Sequence, residues 1–144
     1  PYPCDPMSVY QQTMRSGSGA IYNHEGTIHD AKTKKFIRMV PEGKNYRALP
    51  AEYAGIYKYH EALTRYHSKK PSPTINTGHR SHFHYKWDRI PTVRESARLQ
   101  SFADNFVFFG NKTQQYRQVG NAVPPLLGKA IATEIFKWLK KNGN

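Results

Sequence analysis

Apolar positions recur at helical spacing most clearly near the end of the chain. Leu127, Ile131, Ile135 and Trp138 stand three or four residues apart after Pro124 and Pro125, and Lys140, Lys141 and Gly143 close the run. Prolines suit a first turn, basic residues a last turn and glycine a stop, so the spacing predicts a C-terminal helix with one apolar stripe. Upstream, Thr92-Val93-Arg94-Glu95 has the pattern of a capping box, in which the Thr92 hydroxyl accepts from the Glu95 backbone while the Glu95 carboxylate reaches back. The predicted helix after it carries the small residues Ser96, Ala97 and Ser101, with Leu99 and Phe102 on another side. It is expected to have partners on two faces.

The first half is less regular. Tyr53, Ile56, Tyr57, His60 and Leu63 predict a helix within residues 49–63, with Pro50 at its start and Gly55 weakening it. Residues 33–40 set Phe36, Ile37, Met39 and Val40 among Lys34, Lys35 and Arg38 and read as a strand, followed by a turn at Pro41-Glu42-Gly43-Lys44. Pro71 and Pro73 then break the chain before a short β-prone run, Thr74-Ile75-Asn76-Thr77. Residues 1–30, rich in Pro, Ser, Gly and Asn, read as loop with short extended pieces. Helices mixed with sparse strands make the expected fold class α+β.

With 144 residues of which 38% are hydrophobic, the chain is long enough for one domain whose core is small or shared. Apolar runs are too short for a membrane span, and nothing at the N-terminus reads as a signal peptide. A start at Pro1 suggests a piece cut from something longer. The single cysteine, Cys4, excludes an internal disulfide framework and fits a reducing cytosol, so the expected location is cytoplasmic.

Charge changes the picture most. The formal net charge is +12, from 22 Lys+Arg against 10 Asp+Glu. Residues 1–30 carry −2, residues 31–70 carry +7, residues 71–100 carry +3 and residues 101–144 carry +4. A basic middle interleaved with tyrosines suits a phosphate backbone, although a well-solvated surface would have the same composition.

Two blocks are more specific. The first runs from Arg89 through Ile90-Pro91-Thr92-Val93-Arg94-Glu95-Ser96-Ala97-Arg98-Leu99-Gln100-Ser101 to Phe102, followed by Ala103-Asp104. The second is Gln118-Val119-Gly120-Asn121-Ala122-Val123-Pro124-Pro125. In this order and at about this distance they resemble the ninth and tenth conserved blocks of the cytosine-5 DNA methyltransferases. Asn23-His24, the stretch Val40 to Pro50 and the stretch Lys70 to Thr77 resemble, more loosely, the target-recognition region of bacterial members. Two departures stand out: Phe102-Ala103-Asp104 where the family has Phe-Pro-Asp, and His84-Tyr85 where His-Pro is common. Both replace a turn-stiffening proline and put the local loop geometry in question.

The resemblance implies the C-terminal part of a two-lobed bacterial-type enzyme. A Rossmann-like lobe binds S-adenosylmethionine and carries the catalytic cysteine, a small lobe reads double-stranded DNA, and a target cytosine is flipped out of the helix for attack at C6 by a thiolate. The glycine-rich cofactor block, the Pro-Cys-Gln nucleophile and the Glu-Asn-Val block are absent here, and Cys4 lies in Pro3-Cys4-Asp5. No catalytic residue is therefore assigned, Cys4 reads as incidental, and this piece alone is expected to be inactive. Its partners would be double-stranded DNA and an N-terminal catalytic lobe, on the same or a separate chain, in a nucleoid-associated bacterial setting such as restriction–modification. Residues 1–80 are expected to form the target-recognition region, 81–117 the ninth-block helix and the rest of the small lobe, and 118–144 the tenth block and a helix returning to the cofactor lobe.

By the same resemblance, Asn121, Ala122 and Val123 would face the cofactor, with Gly120 permitting close backbone approach and the next helix start offering positive dipole to its carboxylate. Thr74 would touch DNA backbone beside the flipped base, the alternative being an ordinary strand threonine; Arg80, in the loop after it, is a candidate for phosphate or guanine contact or else a solvated arginine. Arg94 and Glu95 read as structural, holding the small lobe together. His79, His82 and His84 lack a completing ligand, so no metal is expected. Tyr57, Tyr59 and Tyr66 could stack on bases or simply pack. Two rival functions stay open, a DNA-binding module without methyltransferase activity and part of a tRNA cytosine-5 methyltransferase.

Overall fold

In the computed structural model, residues 1–53, 63–78 and 81–143 are described here. Five helices and one strand pair are found among them. The helices are α1 (Val9–Arg15), α2 (Ala31–Met39), α3 (Val93–Leu99), α4 (Lys112–Asn121) and α5 (Pro125–Asn142). The strands β1 (Thr64–Arg65) and β2 (His82–Phe83) pair in parallel, Thr64 opposite His82 and Arg65 opposite Phe83. The chain is thus a small mixed helix–strand unit. No helix among the described residues is long and apolar enough to cross a membrane.

Two apolar clusters organise it. The first joins α2 to the strands through Ile37, Val40, Tyr46, Leu63, Phe83 and Ile90. The second joins α3 to α4 through Val93, Ala97, Phe102, Phe108, Tyr116 and Val119, with Ile75 packed against it.

The segment read as a strand, 33–40, is helix α2. Asp30 caps it, its carboxylate accepting from the Thr33 N–H at 2.6 Å. Adjacent Phe36 and Ile37 break the alternation that a strand requires, whereas Phe36, Ile37 and Val40 share one helix face, and Ile37 and Val40 are buried. The run Thr74–Thr77 forms no strand either. Residues 1–30 are not all loop: Ser8 accepts from the Gln11 N–H and starts α1, whose Met14 is buried. In the region read as a helix over 49–63, Ala51–Tyr53 form a single 3-10 turn, and residues 54–62 lie outside the described residues. The turn at 41–44 is present, with Gly43 at φ +72°.

The capping box at Thr92 forms as expected and starts α3. Ser96 and Ala97 are buried against neighbours, while Leu99, expected to have a partner, is 48% exposed. A second capping box, Asn111 with Gln114, starts α4. Helix α5 runs where the prolines, apolar spacing and lysines predict it, yet none of its residues is buried. Leu127, Ile131, Ile135 and Trp138 are all more than half exposed.

Candidate functional site

Thr74 lies on the wall of an open cleft of ≈ 1040 Å³ between the turn at 43–45 and residues 73–78 and 81–82. Lys44, Asn45, Thr74, Asn76, Thr77 and Ser81 contribute to its lining, and among the described residues no carboxylate does. The hydroxyls, amides, imidazole and Lys44 ammonium that the described residues contribute are compatible with a polyanion. Within this segment Thr74, Asn76 and Thr77 are exposed and Ile75 packs on the second cluster. Burial of Ile75 thereby fixes which residues face outward. Arg80, His79, Tyr57 and Tyr59 lie outside the described residues.

Asn121, Ala122 and Val123 form the joint between α4 and α5. Asn121 is exposed and Val123 is 65% exposed, so this edge offers a carboxamide and an apolar surface, which fit one wall of a cofactor site. Gly120 does permit a close approach, but its neighbour is protein. A Cβ added there would stand 2.5 Å from the carbonyl carbon and oxygen of Asn76 and 2.6 Å from the Thr77 nitrogen. The tenth block is therefore pressed against the Thr74–Thr77 segment through bare backbone. The start of α5 is also a poorer anion cradle than its dipole suggests. Pro124 and Pro125 have no N–H, and the Leu126 N–H is already taken by the Ser101 hydroxyl at 3.1 Å.

Around α3 stands a frame of buried polar groups. Arg94, whose side chain is wholly buried, donates to the carbonyls of Tyr22 at 2.9 Å, Ala103 at 2.9 Å and Phe106 at 2.5 Å. Burial pushes its pKa down, partly countered by Asp104. Glu95 accepts from the Thr92 N–H at 2.7 Å and from the two ends of the Arg89 fork at 2.7 and 2.8 Å. Burial alone would raise the Glu95 pKa, but those donors outweigh it and hold the group below the ordinary carboxylate range. Asp104, fully buried, is governed the same way, with Arg98 at 2.9 Å and the Tyr2 hydroxyl at 2.7 Å outweighing burial and lowering its pKa. Burial pushes Tyr116 up to about 12, and its hydroxyl donates to the Pro91 carbonyl at 2.6 Å. The positions read as structural, Arg94 and Glu95, thus sit in hydrogen-bond networks inside the fold.

Three further residues belong to the frame, a role the sequence does not assign them. Asn23, at φ +57°, exchanges hydrogen bonds with the Phe108 backbone at 2.8 and 3.0 Å. Its neighbour His24 meets the Thr92 hydroxyl at 2.9 Å. Arg65 is 6% exposed; it donates to the Val40 carbonyl at 2.8 Å and to that of Ile37, closing the C-terminus of α2. The resemblance marks Asn23-His24 but not their partners, and nothing local marks Arg65, because the groups they bind are distant in sequence.

The two departures from the family pattern have local substitutes for the missing proline. The Ala103 carbonyl is held by Arg94 and the Asp104 N–H by the Met14 carbonyl at 2.7 Å. At the other site His84 Nδ1 accepts from the N–H groups of Lys86 at 3.0 Å and Trp87 at 3.1 Å, making the turn itself. Burial lowers the His84 pKa, partly offset by Glu95. His82 stacks on Tyr66 with ring centroids 5.0 Å apart, which gives Tyr66 a packing partner. Among the described residues no three His, Cys, Asp or Glu side chains converge as metal ligands would.

The family model for C-5 cytosine-specific DNA methylases matches residues 5–137. The chain belongs to this family. Type II methyltransferase M1.HphI of Haemophilus parahaemolyticus is 44% identical over 133 residues, which cover 92% of this chain and 36% of that protein. This methylase-family chain therefore spans little more than a third of that relative. Type II methyltransferase M.AquIB of Picosynechococcus is 35% identical over 131 residues, which cover 83% of this chain but 90% of the relative. A crystal structure of a prophage-encoded E. coli protein, assigned as a DNA modification methyltransferase, superposes with a TM-score of 0.64 at 26% identity, covering 82% of this chain and 29% of that one.

Proposed function

We propose that this chain is the DNA-reading portion, with the closing helix, of a DNA (cytosine-5-)-methyltransferase. The whole enzyme acts on double-stranded DNA and methylates C5 of a cytosine flipped out of a specific site. The observation that carries the reading is the contact of Gly120 with the Asn76–Thr77 peptide, because it puts the segment proposed to touch DNA beside the segment proposed to touch cofactor. Lys44, Asn45 and the threonine hydroxyls of the open cleft hold the DNA backbone, with Thr74 beside the flipped base and Arg80 a further contact. Asn121, Ala122 and Val123 close one side of the cofactor pocket. S-adenosylmethionine, when bound, supplies an electrophilic methyl group. The nucleophile and most of the cofactor pocket belong to an N-terminal lobe on the same or a separate polypeptide, and the apolar stripe of α5 docks on it. A relative almost filled by this segment, M.AquIB, is consistent with either arrangement. The setting is cytoplasmic.

The test is reassembly. This chain, joined to or mixed with an N-terminal catalytic part, is expected to transfer labelled methyl groups from S-adenosylmethionine to duplex DNA and to protect one synthetic site from cleavage. A folded complex that binds DNA without methyl transfer would leave only a binding module, and a preference for tRNA over duplex DNA would overturn the substrate.

A further inference from the structure

We infer that Gln100 and Ser101 form a clasp that sets the direction in which α5 leaves α4, and so positions the Asn121–Val123 joint. The two residues are adjacent, and each holds one side of the joint. Gln100 is 7% exposed, and its Nε2 donates to the Val119 carbonyl at 2.6 Å, near the end of α4. Ser101 turns at φ +60°, and its hydroxyl accepts from the Leu126 N–H at 3.1 Å, in the first turn of α5.

Three features make this more than ordinary capping. Pro124 occupies the N-cap position of α5 without a side-chain hydrogen bond of its own, so the cap comes from another element. No residue of α5 is buried, so packing within this chain does not fix the direction of the helix. A left-handed backbone is costly for serine and free for glycine, so a side chain at this position works against the local conformation. The hydroxyl on Leu126 supplies the reason for its presence. Ser101 and Gln100 are positioning residues on this reading, which rests on the proposed role of Asn121–Val123 as a cofactor edge.

The experiment uses the complete enzyme, this chain with its catalytic part. Ser101→Gly removes the hydroxyl while favouring the backbone angle; Ser101→Asn tolerates that angle and restores an oxygen acceptor. Amide exchange at Leu126, KM for S-adenosylmethionine, kcat and DNA affinity are measured for each. Ser101→Gly is expected to speed Leu126 exchange and raise KM for S-adenosylmethionine by about fivefold each, the size of a typical cap, with a smaller loss of DNA affinity. Ser101→Asn is expected to return both towards the parent. Gln100→Leu, which removes the donor to Val119, should raise the same KM and provides a second route if the glycine variant folds poorly. Unchanged Leu126 exchange in Ser101→Gly overturns the clasp. Faster exchange with unchanged KM leaves the clasp standing and overturns the cofactor edge.

Discussion

Replacing Gly120 by alanine sets two known effects against each other. Gly120 lies in α4, where alanine is a better helix former by about 1 kcal/mol. With open space beside it, Gly120→Ala would therefore stabilise the chain. The added methyl would instead stand 2.5 Å from two backbone atoms of Asn76 and 2.6 Å from the Thr77 nitrogen. Carbon atoms in good contact sit roughly 3.5–4.0 Å apart, so the overlap is about 1 Å against backbone that cannot rotate away. Overpacking of this kind costs typically 1–3 kcal/mol, and an overlap with rigid backbone belongs in the upper part of that range, about 2–3 kcal/mol, so net destabilisation of about 1–2 kcal/mol is expected. Gly128 is the control, because it also lies in a helix and its added Cβ meets nothing within 4 Å; Gly128→Ala should be neutral or stabilising. Urea unfolding of the two variants reads the difference, and titration with site-containing duplex reads the consequence. Displacing the Thr74 segment by even part of that overlap should lower affinity by about tenfold, a cost of 1.4 kcal/mol. If Gly120→Ala proves as stable as Gly128→Ala and binds DNA normally, the backbone contact is not real.

Arg94→Leu leaves three carbonyls without their donor and Asp104 with Arg98 as its remaining charged neighbour, so a loss of about 3–5 kcal/mol is expected in urea unfolding. Arg94→Lys should recover little, since one ammonium cannot reproduce the guanidinium fork; full recovery would show that charge alone matters. Acid should destabilise the chain in two stages. His84, Glu95 and Asp104 all have folded pKa values below their ordinary ones, so the unfolded chain binds more protons and stability rises with pH. The His84 contribution is lost as pH falls below about 6.5 and the carboxylate contributions as it falls below about 4, and a urea midpoint constant from pH 7 to 3.5 would refute this. Ile135→Asp, at a position 55% exposed, should change the chain's own stability by less than about 0.5 kcal/mol while weakening association with the catalytic part at least tenfold in a pull-down or titration.

The elements legible in the sequence were those with complete local signals. Helix α5 has its prolines, stripe and lysines in one run, and α3 has both halves of its capping box within four residues. Helix α4 is missing from the sequence reading although its signal is as local, since Asn111 and Gln114 repeat the spacing of Thr92 and Glu95. Helix α2 was misread because β-prone residues at 36, 37 and 40 outweighed a pattern that does not alternate, and Asp30, the residue that settles it, lies just outside the window. Helix α1 buries only Met14 and so shows no periodicity to read.

The site was legible as a set of family marks and much less as geometry. Gly120 suggests close approach on chemical grounds alone, but nothing in its neighbourhood says that the approaching backbone is Asn76–Thr77. Likewise Arg94 announces itself as structural within its capping-box context, while its acceptors on Tyr22, Ala103 and Phe106 come from loops on both sides of α3. The ninth and tenth blocks are separate strings in the sequence and one packed body in three dimensions, since α3 lies on α4 and Gln100 reaches the Val119 carbonyl. The Thr74–Thr77 segment leans on that same body through Ile75 and Gly120. A substitution at the proposed cofactor edge should therefore disturb DNA binding, and one in the recognition segment should disturb cofactor affinity. Loss of either function cannot by itself identify a contact residue here, and the effect on the other ligand has to be measured beside it.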